Sequence, residues 1–539
     1  MKRRNFITNS SIAAASLGTL LASCSNDKTT KKIIAVNIAA GDDFELNELT
    51  IGSMQQKFAS AQYSSQQVTE LYLKRIEAID KNGPALHAVI ELNPDAISIA
   101  KAMDAERKAG KIRGPLHGVP LLIKDNIDTA DKMQTTAGSL AMLGNIASKD
   151  AFIVKKLREA GAVLLGKTNL SEWANFRSAK SCSGWSSRGG QTKNPYIIDH
   201  NPCGSSSGSG VAVSANLCMV AVGTETDGSV TCPAAVNGIV GLKPTVGLVS
   251  RSGIIPISHT QDTAGPMART VTDVAILLGI LAGSDEADAT TNNSKSDKII
   301  DYTQFLDINA LKGKRIGVEK KPQGDNHFMH ALLKKNLDLL TQQGAIIVEI
   351  EYLDKINELG GAEFEVLQFE FKDGLNKYLS TANAPVKTLT DVINFNKNNE
   401  DKAMPYFKQE TLLSSQAKAG LESAEYKTAL KKSNEGCRNI INNLLQKNKL
   451  DMICGLTMGP ACSIDNIYGD RWGEVFLTQP AAASGYPHIT VPAGMVYELP
   501  IGLSFFGAAY SEASLLAVAF AFEQAANNRK KPGFKNAFL

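Results

Sequence analysis

Two glycine- and serine-rich turns, separated by an apolar segment, dominate the middle of the chain. Residues 204–210 read GSSSGSG, residues 223–229 read GTETDGS, and the run 211–222 between them is mostly apolar. Glycine lets a backbone adopt positive φ and approach a ligand closely, and the serines add hydroxyl groups. The two turns predict either a site built from backbone N–H groups and serine hydroxyls or two tight loops around a buried helix and strand.

The composition is that of an ordinary globular protein. Of 539 residues, 43% are hydrophobic and 21% are charged, as in typical folded domains. A chain of this length can bury a large core, as one large α/β domain or as two to three smaller ones. The formal net charge is +3 and no basic patch dominates, which argues against nucleic acid as a partner.

The first residues have the layout of an export signal. Basic residues at 2–4 precede a short apolar run at 12–21, which is too short to span a bilayer. Residues 21–24 read LASC and resemble a bacterial lipobox, whose cysteine is lipidated and becomes the new N-terminus. We expect a signal peptide at 1–23, a lipidated Cys24 with a polar tether to residue 44, and a periplasmic or cell-envelope lipoprotein anchored through its lipid. Sec and twin-arginine export both stay open.

Helical and strand patterns alternate through the rest of the chain. Apolar strands at 121–123 and 162–165 follow helical segments, and this alternation is typical of buried parallel strands. The pattern therefore predicts an α/β fold built on a sheet of buried parallel strands. Residues 360–446 look largely helical and predict a cap over the sheet, and residues 531–539 form a C-terminal tail.

The cysteine pattern predicts free thiols. The chain has eight cysteines and no C-x-x-C, and seven remain when Cys24 is set aside. An odd number without pairing spacing argues against a disulfide framework and against a zinc cluster. Cys218, Cys232 and Cys454 lie in apolar runs and are predicted to be buried thiols. No metal or cofactor is expected.

Residues 204–208 also match G-x-S-x-G, the nucleophile elbow of α/β-hydrolases. An esterase of that type would use Ser206 as nucleophile and His488 as base. The elbow needs a strand directly before it, but the preceding residues read HNPC, and His488 introduces an apolar strand. The context is therefore unfavourable, although this alternative stays open.

A second arrangement needs no histidine and combines Lys124, Ser205 and Ser229. Lys124 directly follows the apolar strand 121–123, where burial disfavours a charged amine. A lysine can act as a base if its pKa falls from about 10.4 to about 7–8, a shift that costs roughly 4 kcal/mol. The alternative is a lysine at the end of a strand whose amine reaches water.

Further blocks resemble the amidase signature family. Besides the two turns, residues 122–126 (LIKDN), 166–169 (GKTN) and 265–269 (GPMAR) match its signature in the right order, and residues 485–503 match its C-terminal pattern. The resemblance covers roughly residues 45–530, with the core signature at 118–270. It implies the fold of that family, one large α/β domain over 45–530 with a mixed, mostly parallel β-sheet covered by helices on both faces. It also implies hydrolysis of linear amides through an acyl-enzyme, without metal or cofactor.

The resemblance also implies a role for each residue of the site. Ser229 matches the nucleophile, Ser205 the bridging serine that the family holds after a cis peptide bond, and Lys124 the base. The proton would pass from Ser229 through Ser205 to Lys124. The implied oxyanion hole consists of four consecutive backbone N–H groups, those of Thr226, Asp227, Gly228 and Ser229.

Two positions depart from the general family pattern. The usual Gly-Gly before the nucleophile is Asp227-Gly228, and the usual arginine two residues after it is Thr231. Both resemble bacterial peptide amidases, which remove ammonia from C-terminally amidated peptides, so the resemblance implies a peptide amide as substrate. Small aliphatic or aryl amides are alternative substrates.

Two other functions stay open. The protein could be a non-enzymatic surface lipoprotein or one component of an amidotransferase, and the export signal argues against the amidotransferase.

Overall fold

An 11-stranded sheet runs through the computed structural model, which describes residues 43–292, 301–321 and 323–537. Its strands lie in the order β1-β3-β2-β6-β8-β7-β12-β13-β11-β9-β10, and β4 and β5 form a separate two-stranded sheet. The strands are β1 (Val89–Leu92), β2 (Pro120–Lys124), β3 (Val163–Thr168), β4 (Trp185–Ser186), β5 (Gly190–Gln191), β6 (Val220–Glu225), β7 (Val240–Lys243), β8 (Thr263–Ala268), β9 (Arg315–Glu319), β10 (Ile346–Ile350), β11 (Met452–Leu456), β12 (His488–Val496) and β13 (Leu499–Phe506).

Helices flank this sheet. They are α1 (Ile51–Ala59), α2 (Ser65–Arg75), α3 (Ala96–Lys108), α4 (Phe152–Glu159), α5 (Ser207–Ser214), α6 (Thr231–Val236), α7 (Val271–Leu281), α8 (His327–Gln342), α9 (Leu353–Asn357), α10 (Ala362–Thr381), α11 (Leu389–Asn398), α12 (Glu400–Ala403), α13 (Glu410–Gln416), α14 (Ala424–Leu430), α15 (Gly436–Lys447), α16 (Gln479–Ser484) and α17 (Glu512–Ala526). None of the helices in the described ranges is long and apolar enough to cross a bilayer.

Strand direction divides the sheet into three parts. Strands β3, β2 and β6 are parallel to one another, as are β11, β9 and β10 at the other end. The centre, from β6 to β11, is antiparallel, and β1 pairs antiparallel with β3. The predicted mixed sheet with helical layers is confirmed, and the described residues all belong to one compact unit.

Strands β2, β3 and β6 position the site. Every residue of these strands is buried, as expected for parallel strands covered on both faces. Strand β2 pairs with both neighbours, with Lys124 opposite Thr168 and Ile123 opposite Val222, and its register with β3 shifts between Leu121 and Leu122. The three strands therefore end at one edge, and the carboxyl ends of parallel strands are where α/β proteins place their sites.

Helices α10 to α14 pack together as a cap, and α10 lies beside that edge. Helix α15 packs on β10, β11 and β13 at the other end of the sheet. Leu367, Phe371 and Leu375 of α10 pack in one apolar cluster with Trp173 and Phe176 from the loop that follows β3. The cap is thereby fastened to the loop beside the site through apolar burial, which is the main stabilising contribution to such packing.

Candidate functional site

Lys124, the last residue of β2, has a completely buried side chain. Its amine lies 2.7 Å from Ser205 Oγ, 3.0 Å from Ser206 Oγ and 2.9 Å from Thr224 Oγ1. The side-chain amide of Asn126 donates to the same threonine hydroxyl at 3.0 Å. The alternative in which this amine reaches water is therefore wrong, because the lysine is enclosed by hydroxyl groups at the end of β6 and in the first turn.

The surroundings of Lys124 change its acidity. Burial lowers the pKa of Lys124 from 10.5 to about 7, and the charges of Asp262 and Glu225 act in the opposite direction. Burial prevails because an apolar environment disfavours the charged amine. Near neutral pH a large fraction of this amine is uncharged and able to accept a proton.

The first turn brings Ser205 against the lysine. The Gly204–Ser205 peptide bond is cis, as the resemblance implies. A Cβ atom at position 204 would collide with the hydroxyl of Ser171, so a larger residue there would have to displace that side chain. The backbone N–H of Ser206 donates to the carbonyl of Ser229 at 3.1 Å, and this bond joins the first turn to the second.

The second turn presents Ser229 together with a row of backbone donors. Ser229 is 7% exposed, and the preceding Gly228 has a φ of +74°, a region that favours glycine. Within the described ranges, none of the N–H groups at 226–229 donates to a protein acceptor. These four groups are available for a developing negative charge on an oxygen atom.

Glu225 fixes the second turn from its other side. Its carboxylate accepts hydrogen bonds from the backbone N–H groups of Val230 at 2.7 Å and Thr231 at 2.8 Å, and from the Thr231 hydroxyl at 3.1 Å. Hydrogen bonds to a buried carboxylate are stronger than neutral ones. Thr231, one of the two departures from the family pattern, therefore has a structural partner.

Asp227, the other departure, adds a carboxyl group beside Ser229. It accepts a hydrogen bond from the Thr478 hydroxyl at 2.5 Å. Burial, followed by the proximity of Glu363, raises its pKa well above 3.8. Glu363 itself accepts from the side-chain amides of Gln261 and Gln479, each at 2.8 Å, and burial raises its pKa as well. Both effects favour the uncharged form of these carboxyls.

A cavity of about 340 Å³ opens onto Ser229. That volume lies within the usual range for small-molecule sites. Cys203, Gly204 and residues 226–229 of the second turn line it, together with four aromatic residues, Phe176, Phe364, Trp472 and Phe476. The arrangement can hold an apolar chain next to a serine hydroxyl and a row of N–H donors.

The cysteine prediction was wrong for one pair. Cys203 and Cys232 form a disulfide with their Cα atoms 6.1 Å apart, whereas Cys218 and Cys454 are buried free thiols as predicted. The two bonded cysteines are separated by 29 residues in sequence. Pairing requires spatial proximity of the Cα atoms, which comes here from the folding of the two turns against each other and is invisible in the spacing.

The structure does not assemble the elbow alternative. No strand precedes Ser206, whose hydroxyl contacts Lys124 and the backbone of Thr224. His488 lies on β12, where its Nε2 is 2.6 Å from the Ser504 hydroxyl. Burial lowers the pKa of His488 to about 3, so it is a core residue of the sheet. The residues that the structure describes contain no cluster of three or more His, Cys, Asp or Glu able to hold a metal ion.

The sequence pattern does not reveal several residues of the site. Thr224 and Glu225 lie inside the second turn, at the end of an apolar strand. That position is a signal by which the sequence could have identified them as residues of the site. Asp262 accepts a hydrogen bond from the Thr226 hydroxyl at 2.5 Å, and Glu363 comes from the cap. No local pattern connects the last two to the turns.

Comparisons with known proteins agree with this geometry. The family model "Amidase" matches residues 67–516. The "Probable amidase" of Arabidopsis thaliana is 44% identical over 513 residues, 93% of this chain and 94% of that protein. The match thus extends over nearly the full length of both proteins.

Solved structures give the same result. The native peptide amidase from Stenotrophomonas maltophilia superimposes with a TM-score of 0.87 and 48% sequence identity, over 91% of this chain and 99% of that chain. An amidase family protein from Bacillus anthracis superimposes with a TM-score of 0.82 and 37% identity, over 90% of this chain and 93% of that chain. The non-enzymatic and α/β-hydrolase alternatives are therefore wrong. The chain belongs to the amidase signature family and is an amidohydrolase that acts on amides.

Proposed function

We propose that the protein removes ammonia from C-terminally amidated peptides, with Ser229 as nucleophile, Ser205 as proton relay and Lys124 as base. The observation that carries this proposal is the buried Lys124 amine, which has a pKa of about 7 and lies 2.7 Å from Ser205 Oγ. A base with a pKa near the working pH combines the correct protonation state with useful basicity.

In the acylation step, Ser229 Oγ attacks the carbonyl carbon of the amide. Its proton passes to Ser205, whose own hydroxyl proton passes to the neutral amine of Lys124. The carbonyl oxygen becomes an oxyanion and is held by the N–H groups at 226–229, and each such donor is worth about 3–4 kcal/mol in known hydrolases. When the tetrahedral intermediate collapses, Lys124 returns the proton through Ser205 to the leaving nitrogen, and ammonia departs.

In the deacylation step, water attacks the Ser229 ester. Lys124, again neutral, takes a proton from that water through Ser205. When the second tetrahedral intermediate collapses, Lys124 returns this proton through Ser205 to Ser229 Oγ, so the acid is released and the Ser229 hydroxyl is restored. The chain's own groups supply every proton transfer. Asp227 and Glu225 hold the surrounding turn by the hydrogen bonds described above.

Two observations support a peptide amide as the substrate. The chain is 48% identical to a solved peptide amidase over nearly the whole of both chains. The cavity at Ser229 is also lined by aromatic and small polar side chains, which suit the apolar and hydrogen-bonding parts of a peptide.

The test is release of ammonia from amides that differ only on the acyl side. We expect the highest kcat/KM for blocked dipeptide amides and lower values for acetamide and benzamide. Ser229→Ala should lose amide hydrolysis by several orders of magnitude, as removal of a nucleophile does elsewhere. Faster turnover of the simple amides than of every peptide amide would reject the peptide substrate while leaving the amidase assignment intact.

We also propose that the protein is an exported lipoprotein anchored at Cys24. Residues 1–42 lie outside the described residues, so support comes from the LASC sequence and the basic and apolar segments before it. The Cys203–Cys232 disulfide is further support, because disulfides persist in oxidising compartments such as the periplasm. Mass spectrometry of the mature N-terminus should find a lipidated Cys24, and an unmodified N-terminus at another residue would contradict the anchor.

A further inference from the structure

We propose that the Cys203–Cys232 disulfide is a positioning device, which holds the two turns in the alignment that the proton relay needs. The inference rests on the proposed roles of Ser205 and Ser229 and goes beyond them, because it assigns a catalytic consequence to a covalent link that takes no part in the proton transfers.

The placement of the two cysteines is the first argument. Cys203 lies two residues before Ser205, and Cys232 lies three residues after Ser229. Their side chains are 4% and 1% exposed, and both cysteines line the same cavity as Ser229. The link therefore sits directly at the reaction site and not at a distant surface loop.

Each cysteine is also hydrogen-bonded through its backbone to the turn beside it. The carbonyl of Cys203 accepts a hydrogen bond from the Ser207 hydroxyl at 2.5 Å. The N–H of Cys232 donates to the carbonyl of Gly228 at 2.7 Å. A displacement of either sulfur is thereby transmitted to the backbone of its turn.

All the described hydrogen bonds that join the two turns directly involve Ser206. Its N–H donates to the carbonyl of Ser229 at 3.1 Å, and its hydroxyl donates to the carbonyl of Thr224 at 3.0 Å and accepts from the Thr224 N–H at 3.2 Å. The disulfide adds a covalent cross-link beside them, with a Cα separation of 6.1 Å. Relay catalysis is sensitive to this geometry, since a misplacement of about 1 Å can lower a rate by about 100-fold.

The test begins with reduction of the folded enzyme. A dithiol such as dithiothreitol transfers two electrons and two protons: the Cys203–Cys232 bond breaks, two cysteine thiols form, and the reagent closes into its cyclic disulfide. Alkylation and peptide mass spectrometry measure how many molecules carry the two free thiols. Circular dichroism at the assay temperature measures the folded fraction of the same sample.

We expect reduction to lower kcat by about 10- to 100-fold while the enzyme stays folded, with KM changed by no more than roughly twofold. The rate at which a fluorophosphonate labels Ser229 should fall by a similar factor. Reoxidation should restore both. Any amide that the wild-type enzyme hydrolyses serves as substrate, so failure of the peptide-amide proposal would be seen separately, in the wild-type substrate panel.

A double variant, Cys203→Ala with Cys232→Ala, covers the case in which the reagent does not reach the bond. It should show the same loss of kcat and no response to reductant. The matched control is Cys454→Ala, which removes a buried free thiol of β11 and should respond to reductant as the wild type does.

Three results would overturn the proposal. The first is free thiols at both positions in enzyme purified under oxidising conditions. The second is unchanged kcat in fully reduced enzyme or in the folded double variant. The third is a loss of kcat that only follows loss of the folded fraction, since that would make the disulfide a stabilising link without a role in alignment.

Discussion

The acid limb of the pH–rate profile should report the neutral fraction of Lys124. The proposed mechanism needs an uncharged amine, so activity is present above the pKa of Lys124 and is lost as pH falls through it. Burial lowers that pKa from 10.5 to about 7, a shift equivalent to about 5 kcal/mol. A lysine with the ordinary pKa would be neutral in only about 1 molecule in 3,000 at pH 7.

The expected magnitude follows from this value. Above pH 8 nearly every Lys124 amine is neutral and kcat/KM reaches a plateau. At pH 6 about a tenth of the amines are neutral and at pH 5 about a hundredth, so kcat/KM should be about 10-fold and about 100-fold below the plateau. The assay is ammonia release between pH 5 and 9 from a blocked amide that has no titrating group.

A variant of a neighbouring carboxylate separates Lys124 from other groups. The charge of Asp262 raises the pKa of Lys124, so Asp262→Asn should move the acid limb to lower pH. Asp262 has a pKa raised by burial to about 6, and if its own titration caused the limb, the limb would disappear in this variant. A profile that is flat from pH 5 to 9, or a limb near pH 10, would refute the assignment of Lys124 as the base.

Three substitutions test other parts of the site. Glu225→Gln weakens the hydrogen bonds to residues 230 and 231. It should lower the free energy of unfolding, measured by urea denaturation, by about 1–3 kcal/mol. An unchanged denaturation curve would show that these bonds contribute little. Gly228→Ala places a side chain at a φ of +74°, which strains the backbone by about 1–2 kcal/mol. This substitution should lower kcat more than it raises KM. Wild-type kinetics would argue against a tightly held turn. Ser206→Ala removes one contact to Lys124 and should keep kcat within roughly tenfold of wild type; inactivation comparable to Ser229→Ala would show that Ser206 is essential.

The local parts of the fold were predictable. The strands that end at Lys124 and Glu225 are apolar runs of the length that parallel strands have, and the structure makes both of them buried strands of one parallel group. The pKa of Lys124 was also anticipated in direction, because a lysine at the end of a buried strand has little access to water.

The remainder depends on contacts between distant segments. Lys124 meets Thr224 because β2 and β6 are neighbours in the sheet, an order that the sequence pattern does not reveal. The disulfide arises in the same way, since two turns that are separate in sequence fold against each other. The carboxyl of Glu363 reaches the site from the cap and could not be assigned by spacing, because helix periodicity identifies a buried face and not its partner.

The identity of the nucleophile is tested most directly by labelling the active enzyme with a fluorophosphonate and mapping the modified serine by peptide mass spectrometry. The proposed mechanism predicts a single adduct on Ser229, formed at a rate that falls below pH 7 with the protonation of Lys124. An adduct on Ser206 with Ser229 unmodified would contradict it.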